Sequence, residues 1–304
     1  MKLLRTPDER FENLPDFPFT PHYIKVDGIR IHYLDEGPSN ATEVILLLHG
    51  EPAWCFLYRH MIPPLVEAGY RCVAPDLVGF GRSDKPSQKS DFTYRKQIDW
   101  TSNWMISLDL KDVTLFCHDW GSLIGLRMAI ENQERFKRLI LSNGGLPMGE
   151  NFRNDSDEAN KQFSRWLDFN RNAPPEYPYE KVFHAGTFKK IPDEVIAAYK
   201  APFPDDSYES AFRSMVFLIP IKSEDPEAEE NKNAMEEYKK WTKPFLTLFS
   251  DNDPLTKGGD KLWHKIPGAQ GQNHATIKNA RHFAQEDYGP ELSAHIIKFI
   301  NDNP

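Results

Sequence analysis

The chain has few cysteines, no long apolar run and no dense cluster of basic residues. Its 304 residues include 3 cysteines, an odd number with no Cys-x-x-Cys pair, which argues against a disulfide framework and against a zinc site. No run approaches the roughly 20 apolar residues that a membrane-spanning helix needs, and the N-terminus has no apolar stretch suited to a signal peptide. The sequence therefore predicts a cytoplasmic protein with no membrane partner.

The charge pattern excludes another class of partner. The formal net charge is -8, and the lysines and arginines form no run that could follow a phosphate backbone. We therefore expect no nucleic-acid partner. The length is typical of one large domain, or of one domain with an insertion. Nothing in the sequence indicates an obligate interface, so we expect a monomer.

Strand and helix patterns alternate through the first half of the chain. Continuous apolar runs predict buried strands at Val44–Leu48, Arg71–Ala74, Val113–Cys117 and Arg138–Ser142. Helical spacing lies between these strands, at about Phe56–Ala68, Thr93–Leu108 and Ser122–Glu131. This alternation predicts a mostly parallel sheet with helices on both faces.

The alternation stops between about Gly144 and Lys240, where the chain is rich in aromatic residues, proline and charge. Strand patterns return at Pro244–Phe249 and Thr276–Lys278, and an amphipathic helix is expected from about Leu292 to Asn301. We therefore predict a main domain of residues 1–143 and 241–304, interrupted by a helical cap domain of residues 144–240. Such an insertion would enter at the strand ends, where ligands bind in this architecture.

One strand ends in a pattern typical of a catalytic turn. After Val113–Cys117 come His118, Asp119, Trp120 and Gly121, followed by helical spacing. This is the arrangement of a nucleophile elbow, in which the strand-to-helix turn presents one side chain above the sheet. A carboxylate is a poor nucleophile toward an ester but can attack an alkyl carbon that carries a good leaving group. Asp119 therefore indicates an alkylating substrate.

The acid and the histidine of such a site follow the nucleophile in chain order. Asp253 lies just beyond the predicted strand Pro244–Phe249, and His282 lies before the last predicted helix. We predict that Asp253 orients His282 and that His282 is the base. Asp251 is the alternative acid, because either aspartate could instead stabilise the turn.

The turn after the first buried strand is expected to supply a second backbone donor. It carries Glu51, whose N–H would face one oxygen of Asp119 together with the N–H of Trp120. His49 precedes this turn, and we interpret it as a buried spacer rather than a base. Ser83 lies in a glycine-rich stretch without the Gly-Lys-Ser/Thr of a phosphate loop, so we interpret it as a loop residue.

Two tryptophans suggest how a leaving group could be held. An indole N–H is a donor without charge or acceptor function, and two of them in a dry site suit a departing halide. Trp120 directly follows the predicted nucleophile. Trp166 lies between Phe163 and Phe169 at helical spacing, and from spacing alone it is a core residue.

Taken together, the motifs resemble those of haloalkane dehalogenases of the subfamily with an HGEP oxyanion motif, over roughly residues 22 to 300. The elbow and triad motifs are shared with epoxide hydrolases, whereas HGEP combined with FSRW and APFPD is more specific. Two positions depart from the family pattern, His118 and Ser122. The motifs that carry the resemblance are HGEPAW (His49–Trp54), APDLVGFGRSDKP (Ala74–Pro86), HDWG (His118–Gly121), FSRW (Phe163–Trp166), AAYKAPFPDDSY (Ala197–Tyr208), SDNDPL (Ser250–Leu255) and RHFAQE (Arg281–Glu286).

The resemblance implies an α/β-hydrolase fold with an inserted helical cap, and a specific set of roles. Asp119 would form an alkyl ester, His282 with Asp253 would activate water, and Trp120 and Trp166 would bind halide. The backbone N–H groups of Glu51 and Trp120 would form the oxyanion site. A small halogenated alkane, water and halide would be the partners, with no cofactor and no metal.

Three other functions stay open at this level. An epoxide hydrolase would use the same aspartate and histidine with two cap tyrosines as acids, and the candidates are Tyr177, Tyr179, Tyr199 and Tyr208. Fluoroacetate hydrolysis favours an arginine where this chain has Trp120. A non-catalytic ligand-binding protein would not need Asp119, Asp253 and His282 together.

Overall fold

The computed structural model describes residues 1–149 and 157–304. Residues 150–156 of the predicted cap lie outside the described residues. Within the described part of the chain the strands are β1 (Leu3–Leu4), β2 (His22–Val26), β3 (Ile29–Glu36), β4 (Val44–Leu48), β5 (Arg71–Pro75), β6 (Lys85–Pro86), β7 (Val113–His118), β8 (Phe136–Ser142), β9 (Phe245–Ser250) and β10 (Ala275–Ile277).

Eight of these strands form the central sheet, in the order β10-β9-β8-β7-β4-β5-β3-β2. All neighbours from β10 to β5 are parallel, and only β3 runs antiparallel to its neighbours β5 and β2. The central strand β4 is buried at every residue, whereas β2 at the edge alternates between partly buried and exposed positions before it ends at the buried Val26. This difference follows from position, because helices cover both faces of an inner parallel strand. The mostly parallel sheet that the sequence predicted is confirmed.

Helices cover the two faces of the sheet and fill the insertion. In the described residues they are α1 (Ile62–Glu67), α2 (Tyr94–Ser107), α3 (Trp120–Glu131), α4 (Asp157–Arg171), α5 (Tyr179–Gly186), α6 (Asp193–Lys200), α7 (Phe212–Met215), α8 (Ala228–Tyr238), α9 (Asp260–Trp263) and α10 (Ala284–Asp302). Between β8 and β9 the described residues contain helices and turns but no strand, as expected for a helical cap on an α/β-hydrolase core. The residue bounds of the cap domain stay a prediction.

Two predicted helices differ from the structure. The helix expected over Phe56–Ala68 is wrong: a 3-10 turn at Cys55–Tyr58 precedes a short helix that begins at Ile62. Pro63 and Pro64 explain the late start, because proline lacks an N–H and fits only the first turn of a helix. The last helix begins at Ala284 rather than near Leu292, and it continues past a kink at Tyr288.

The parallel register brings several strand ends to one edge of the sheet. Leu48 at the end of β4 pairs with Cys117 of β7, and His118 pairs with Ser142 of β8. The carboxyl ends of parallel strands meet at the same edge, and ligands bind outside that edge in open α/β sheets. The turns after β4, β7, β8 and β9 therefore surround one position.

Candidate active site

Asp119 lies at a strained turn between β7 and α3. Its backbone has φ 50° and ψ -128°, a conformation that non-glycine residues rarely adopt and that clusters at functional sites. The turn is tight against its surroundings. A Cβ added to Gly121 would lie 2.2 Å from the Leu48 carbonyl oxygen, and one added to Gly50 would lie 2.1 Å from Asp119 Oδ1. Glycine at position 50 lets the turn after β4 approach the aspartate closely, and glycine at position 121 lets the start of α3 approach the end of β4.

The structure brings Asp119, His282 and Asp253 together. His282 Nε2 lies 3.4 Å from Asp119 Oδ2, and His282 Nδ1 lies 3.0 Å from Asp253 Oδ2. Asp253 is fully buried and also accepts hydrogen bonds from the Leu255 N–H and the Thr256 hydroxyl. Asp251, the alternative acid, lies instead 4.0 Å from Lys278 at the surface side of the turn. The residues predicted in chain order thus form one chain of contacts, nucleophile to histidine to acid.

The charged groups of Asp119, His282 and Asp253 stabilise one another. Burial disfavours ionisation of Asp119, but the hydrogen bond and the charge of His282 outweigh burial and hold the pKa of Asp119 below its ordinary value. Burial likewise disfavours the charged imidazole, yet Asp253 and then Asp119 raise the pKa of His282 to about 10. The site therefore contains an anionic aspartate beside a protonated histidine.

Backbone donors face the side chain of Asp119. The Glu51 N–H donates to Asp119 Oδ1 at 2.7 Å, and the Trp120 N–H also favours the carboxylate form and lowers the pKa of Asp119. Both belong to turns at the edge of the sheet, after β4 and at the start of α3. Donors fixed in this way can stabilise negative charge without reorganising during a reaction.

A cavity of about 280 Å³ opens above Asp119, and both predicted halide-binding tryptophans lie in its wall. Trp120 is buried, and its indole N–H has no hydrogen-bond partner among the described residues. Trp166 belongs to α4 and stacks on Phe169, with 5.5 Å between ring centroids. The structure therefore places Trp166 at the cavity and not in the core, where its spacing alone had suggested it.

The sequence did not identify one residue of the site, Asn143. The Asn143 side-chain amide donates to the carbonyl oxygens of Arg281 and His282 at 3.0 and 2.9 Å, and the Asn143 carbonyl accepts the Asp119 N–H. Asn143 follows β8 directly and has φ 38°. Its place after a buried strand and before Gly144 was the signal available in the sequence, because asparagine tolerates positive φ at such turns.

The two departures from the family pattern both make hydrogen bonds beside the elbow. His118 Nε2 lies 2.8 Å from the carbonyl oxygen of His282, so this nitrogen carries the proton. Burial and then the charge of His282 lower the pKa of His118 to about 4, which keeps the ring neutral. Ser122 donates to the Asp119 carbonyl at 2.6 Å and accepts the Gly145 N–H at 2.9 Å. Both residues therefore brace the turn or the histidine loop.

Hydrogen bonds connect the cap to the loop that carries His282. The Phe283 N–H donates to the Gly186 carbonyl at the end of α5 at 2.8 Å. The buried Asp287 carboxylate accepts the N–H groups of Phe188 and Lys189 from the cap, at 2.9 and 2.8 Å, and that of Arg281 at 3.0 Å. These contacts tie the position of the histidine loop to the position of the cap.

His49 and Ser83, which the sequence did not favour as catalytic residues, make structural hydrogen bonds. His49 is fully buried, with Nδ1 2.9 Å from the Gly50 carbonyl and Nε2 accepting the Leu77 N–H at 3.0 Å. Ser83 donates to the Asp76 carbonyl at 2.7 Å and accepts a backbone N–H. Neither lies in the wall of the cavity.

Among the described residues, one group of side chains could offer three metal ligands. His32, Cys55 and Asp76 lie together and are completely buried. However, the Asp76 carboxylate already accepts hydrogen bonds from His32 Nδ1 at 2.7 Å and from the backbone N–H groups of Cys55 and Arg82 at 2.9 and 2.7 Å. These bonds account for the aspartate, and we interpret the group as a structural anchor of the loop after β5.

The fold and site define the class of the protein, and the comparisons with known proteins agree. Residues 43–287 match the family model for the alpha/beta hydrolase fold. The chain is 49% identical to a haloalkane dehalogenase of Psychrobacter cryohalolentis over all of both chains. It is 46% identical to a haloalkane dehalogenase of Mycobacterium marinum, covering 98% of this chain and all of the relative. The chain belongs to the haloalkane dehalogenase family, and it is a hydrolase of the α/β-hydrolase superfamily.

A solved structure supports the same assignment. The tetrameric haloalkane dehalogenase of Paraglaciecola agarilytica superposes with a TM-score of 0.88 at 33% identity, covering 97% of each chain. Because that relative is described as tetrameric, the comparison does not support the expected monomer. No helix in the described part of this chain combines the length and hydrophobicity needed to cross a membrane.

Proposed function

We propose that this protein hydrolyses haloalkanes to an alcohol, halide and a proton through a covalent alkyl ester on Asp119. The supporting observation is the combination of an anionic aspartate at the elbow with an unpartnered indole N–H, that of Trp120, at the same cavity. A serine at this turn would form an ether that water cannot cleave, whereas an aspartyl ester has a carboxyl carbon open to attack.

In the first step, an Asp119 oxygen attacks the halogenated carbon in line with the carbon–halogen bond. The bond to the halogen breaks with both electrons, and the indole N–H groups of Trp120 and Trp166 bind the halide. These contacts strengthen as charge develops on the halogen, so they stabilise the transition state more than the substrate. No proton moves in this step.

In the second step, His282 takes a proton from water, and the hydroxide formed attacks the carboxyl carbon of the ester. Esterification has removed the negative charge of Asp119, one of the two charges that raise the pKa of His282. The imidazole can therefore release its proton and act as a base, oriented by Asp253. The N–H groups of Glu51 and Trp120 would hold the oxyanion until the bond between the carboxyl carbon and the alkoxy oxygen breaks. The alkoxide takes the proton from His282 and leaves as the alcohol. The proton of the regenerated Asp119 carboxyl then returns to His282, so that the one proton released to solvent is the proton that His282 lost before it acted as a base.

Epoxide hydrolysis, the alternative raised by the sequence, is not favoured. It needs acid side chains aimed at the opening ring, yet no tyrosine of the described residues lines the cavity. The hydroxyl of Tyr177 donates to Asn170, that of Tyr179 to Glu209 and that of Tyr199 to Glu286. All three tyrosines are buried in these contacts.

The direct test combines product analysis with a label. Wild-type protein supplied with 1,2-dibromoethane should release bromide and acid, whereas styrene oxide should give no diol. A single turnover in ¹⁸O-water should place the label in the protein carboxylate, because water attacks the Asp119 carbon. Label found directly in the alcohol after one turnover, with none in the protein, would refute the ester.

The division into a main domain of residues 1–143 and 241–304 and a cap of residues 144–240 is part of the same proposal. It assigns Asp119, Asp253 and His282 to the main domain and Trp166 to the cap. A haloalkane, water and halide are the proposed partners, and no step requires a metal or an organic cofactor.

A further inference from the structure

The Glu51 side chain is a buried acid that the proposed mechanism does not use. Its backbone N–H donates to Asp119, and the residue is part of the wall of the same cavity. The residue is only 5% exposed, and its Oε1 atom has no hydrogen-bond partner among the described residues. Buried polar atoms are usually paired because desolvation is costly. An unpaired carboxyl oxygen at a substrate cavity therefore indicates a contact with a ligand.

The surroundings determine the charge of this carboxyl group. The Glu51 nitrogen lies 2.7 Å from Asp119 Oδ1, and only the short stem of the side chain separates its carboxyl from that nitrogen. Two neighbouring buried carboxyls do not both ionise readily, and His282 is paired with Asp119 and Asp253. Burial and then the charge of Asp119 raise the pKa of Glu51 well above its ordinary value. This shift favours the neutral form of the carboxyl, and a neutral acid is a hydrogen-bond donor.

Several donors near Asp119 already have partners or an assigned role. The Asn143 amide donates to the loop of His282, and the Thr256 hydroxyl donates to Asp253. The indole N–H groups of Trp120 and Trp166 are assigned to the halide in the proposed function. The Glu51 carboxyl, which has no partner of its own, is therefore the donor that we assign to an oxygen carried by the substrate near its halogenated carbon.

We propose that the Glu51 carboxyl donates a hydrogen bond to a substrate oxygen and thereby gives the enzyme a preference for short haloalkyl ethers and halogenated alcohols. This inference rests on the proposed function and deepens it by naming a substrate class. Glu51 acts here as a specificity-determining residue through its side chain, in addition to its backbone role. No covalent step is added to the mechanism.

A matched pair of substrates isolates the effect. 1-Bromobutane and 2-bromoethyl methyl ether have the same number of heavy atoms and differ by one methylene replaced with oxygen. We define the oxygen preference as kcat/KM for the ether divided by kcat/KM for the alkane, measured by bromide release at pH 7. Differences in intrinsic reactivity cancel when this ratio is compared between variants.

Two substitutions separate donor loss from other effects. Glu51→Gln keeps a neutral donor of the same length, and Glu51→Met keeps the length without a donor. The ratio should persist in the Gln variant and fall roughly three- to ten-fold in the Met variant, the range expected for one hydrogen bond. An unchanged ratio in a folded Met variant overturns the inference. An increased ratio in the Gln variant also overturns the inference, because it would mean that wild-type Glu51 is ionised. If the Met variant does not fold, the Gln variant alone decides the question.

Bromide titration by tryptophan fluorescence distinguishes the other possible acceptor. If Glu51→Met weakens bromide binding while both substrates slow equally, the donor serves the halide and the inference is overturned. If wild-type protein releases bromide from neither substrate, the proposed function fails, and the inference fails with it. Bromide release with a ratio independent of position 51 overturns the inference alone.

Discussion

The edge of the sheet and the helical insertion contribute to the site in different ways. The sheet edge holds Asp119, Glu51 and Asp253 on short turns after buried strands. Backbone N–H groups donate hydrogen bonds to the carboxylates of Asp119 and Asp253. The insertion contributes Trp166 from α4, a ring stacked on Phe169 and only partly buried. The comparison teaches that the proposed covalent chemistry belongs to the sheet edge, while the inserted helices contribute to the wall of the cavity and to the proposed halide site. Mutations in the two regions should therefore affect different steps.

The largest effect is expected at the sheet edge. Asp119→Ala removes the proposed nucleophile, and bromide release should fall by roughly four to six orders of magnitude, as for other nucleophiles. Asp251→Asn is the matched control, since Asp251 lies nearby but points to Lys278, and it should stay close to wild type. A residual rate above about one percent in the Ala variant would contradict covalent catalysis.

Removing the base should stop the second step and spare the first. In His282→Phe, one equivalent of bromide should be released rapidly, after which turnover is at least about 10³-fold slower, within the range for a lost general base. Intact-protein mass spectrometry should then detect the added alkyl group. Normal steady-state turnover in this variant would remove His282 from its proposed role.

Substitutions of the two tryptophans compare the sheet edge with the helical insertion directly. Trp120→Phe and Trp166→Phe should each weaken bromide binding by roughly ten- to a hundred-fold, the range for a hydrogen bond to a charged group. Because Trp120 is buried against Tyr94, its replacement should also lower the melting temperature more than replacement of Trp166. Fluorescence quenching by bromide and thermal unfolding measure the two effects. Equal bromide affinity in wild type and Trp166→Phe would exclude the cap residue from the halide site.

Asp287→Asn tests the contact between the two regions. Losing carboxylate acceptors for the N–H groups of Phe188, Lys189 and Arg281 should loosen the histidine loop and slow ester hydrolysis about ten-fold, since small displacements of catalytic groups are costly. The rate of the initial bromide burst should change less, because Asp119 and its donors are not part of these contacts. Asp225→Asn is the matched control, as Asp225 accepts the N–H groups of Ile221 and Lys222 elsewhere in the insertion. An equal fold-decrease in the rate of the bromide burst and in the rate of ester hydrolysis would indicate general destabilisation of the protein instead.

The smallest effect concerns stability. Asp253 and Asp119 raise the pKa of His282 from its ordinary value of 6.5 to about 10, against the opposing effect of burial. A raised pKa stabilises the fold fully below about pH 6.5, and this contribution is lost as the pH rises through about 10. The free energy of unfolding, measured in urea at pH 6.5 and pH 10, should therefore decrease more in wild type than in His282→Phe. Equal decreases would mean that the histidine is not stabilised as a cation.

Much of the main domain was predictable because its signals are local. The strand at Val44–Leu48 was predicted at its observed bounds, and the elbow at Asp119 follows a strand that is one residue longer than expected. Apolar runs specify buried parallel strands, and the order of nucleophile, acid and histidine along the chain specifies where to look for partners. Errors arose where a local signal was ambiguous, as at Phe56–Ala68, or where a helix continued across a kink near Pro290.

The sequence by itself determined which residues follow the strand ends, and hence the candidates Asp119, Asp253 and His282 for the reactive groups. Only the tertiary structure decided which aspartate reaches His282, that Trp166 faces the cavity, that Asn143 holds the histidine loop, and that the Glu51 carboxyl is buried without a partner. The physical reason is that chemical identity and strand order are encoded locally, whereas distance, burial and charge depend on neighbours far along the chain. Asp119 and His282 lie 163 positions apart in the sequence, and the fold brings His282 Nε2 within 3.4 Å of Asp119 Oδ2.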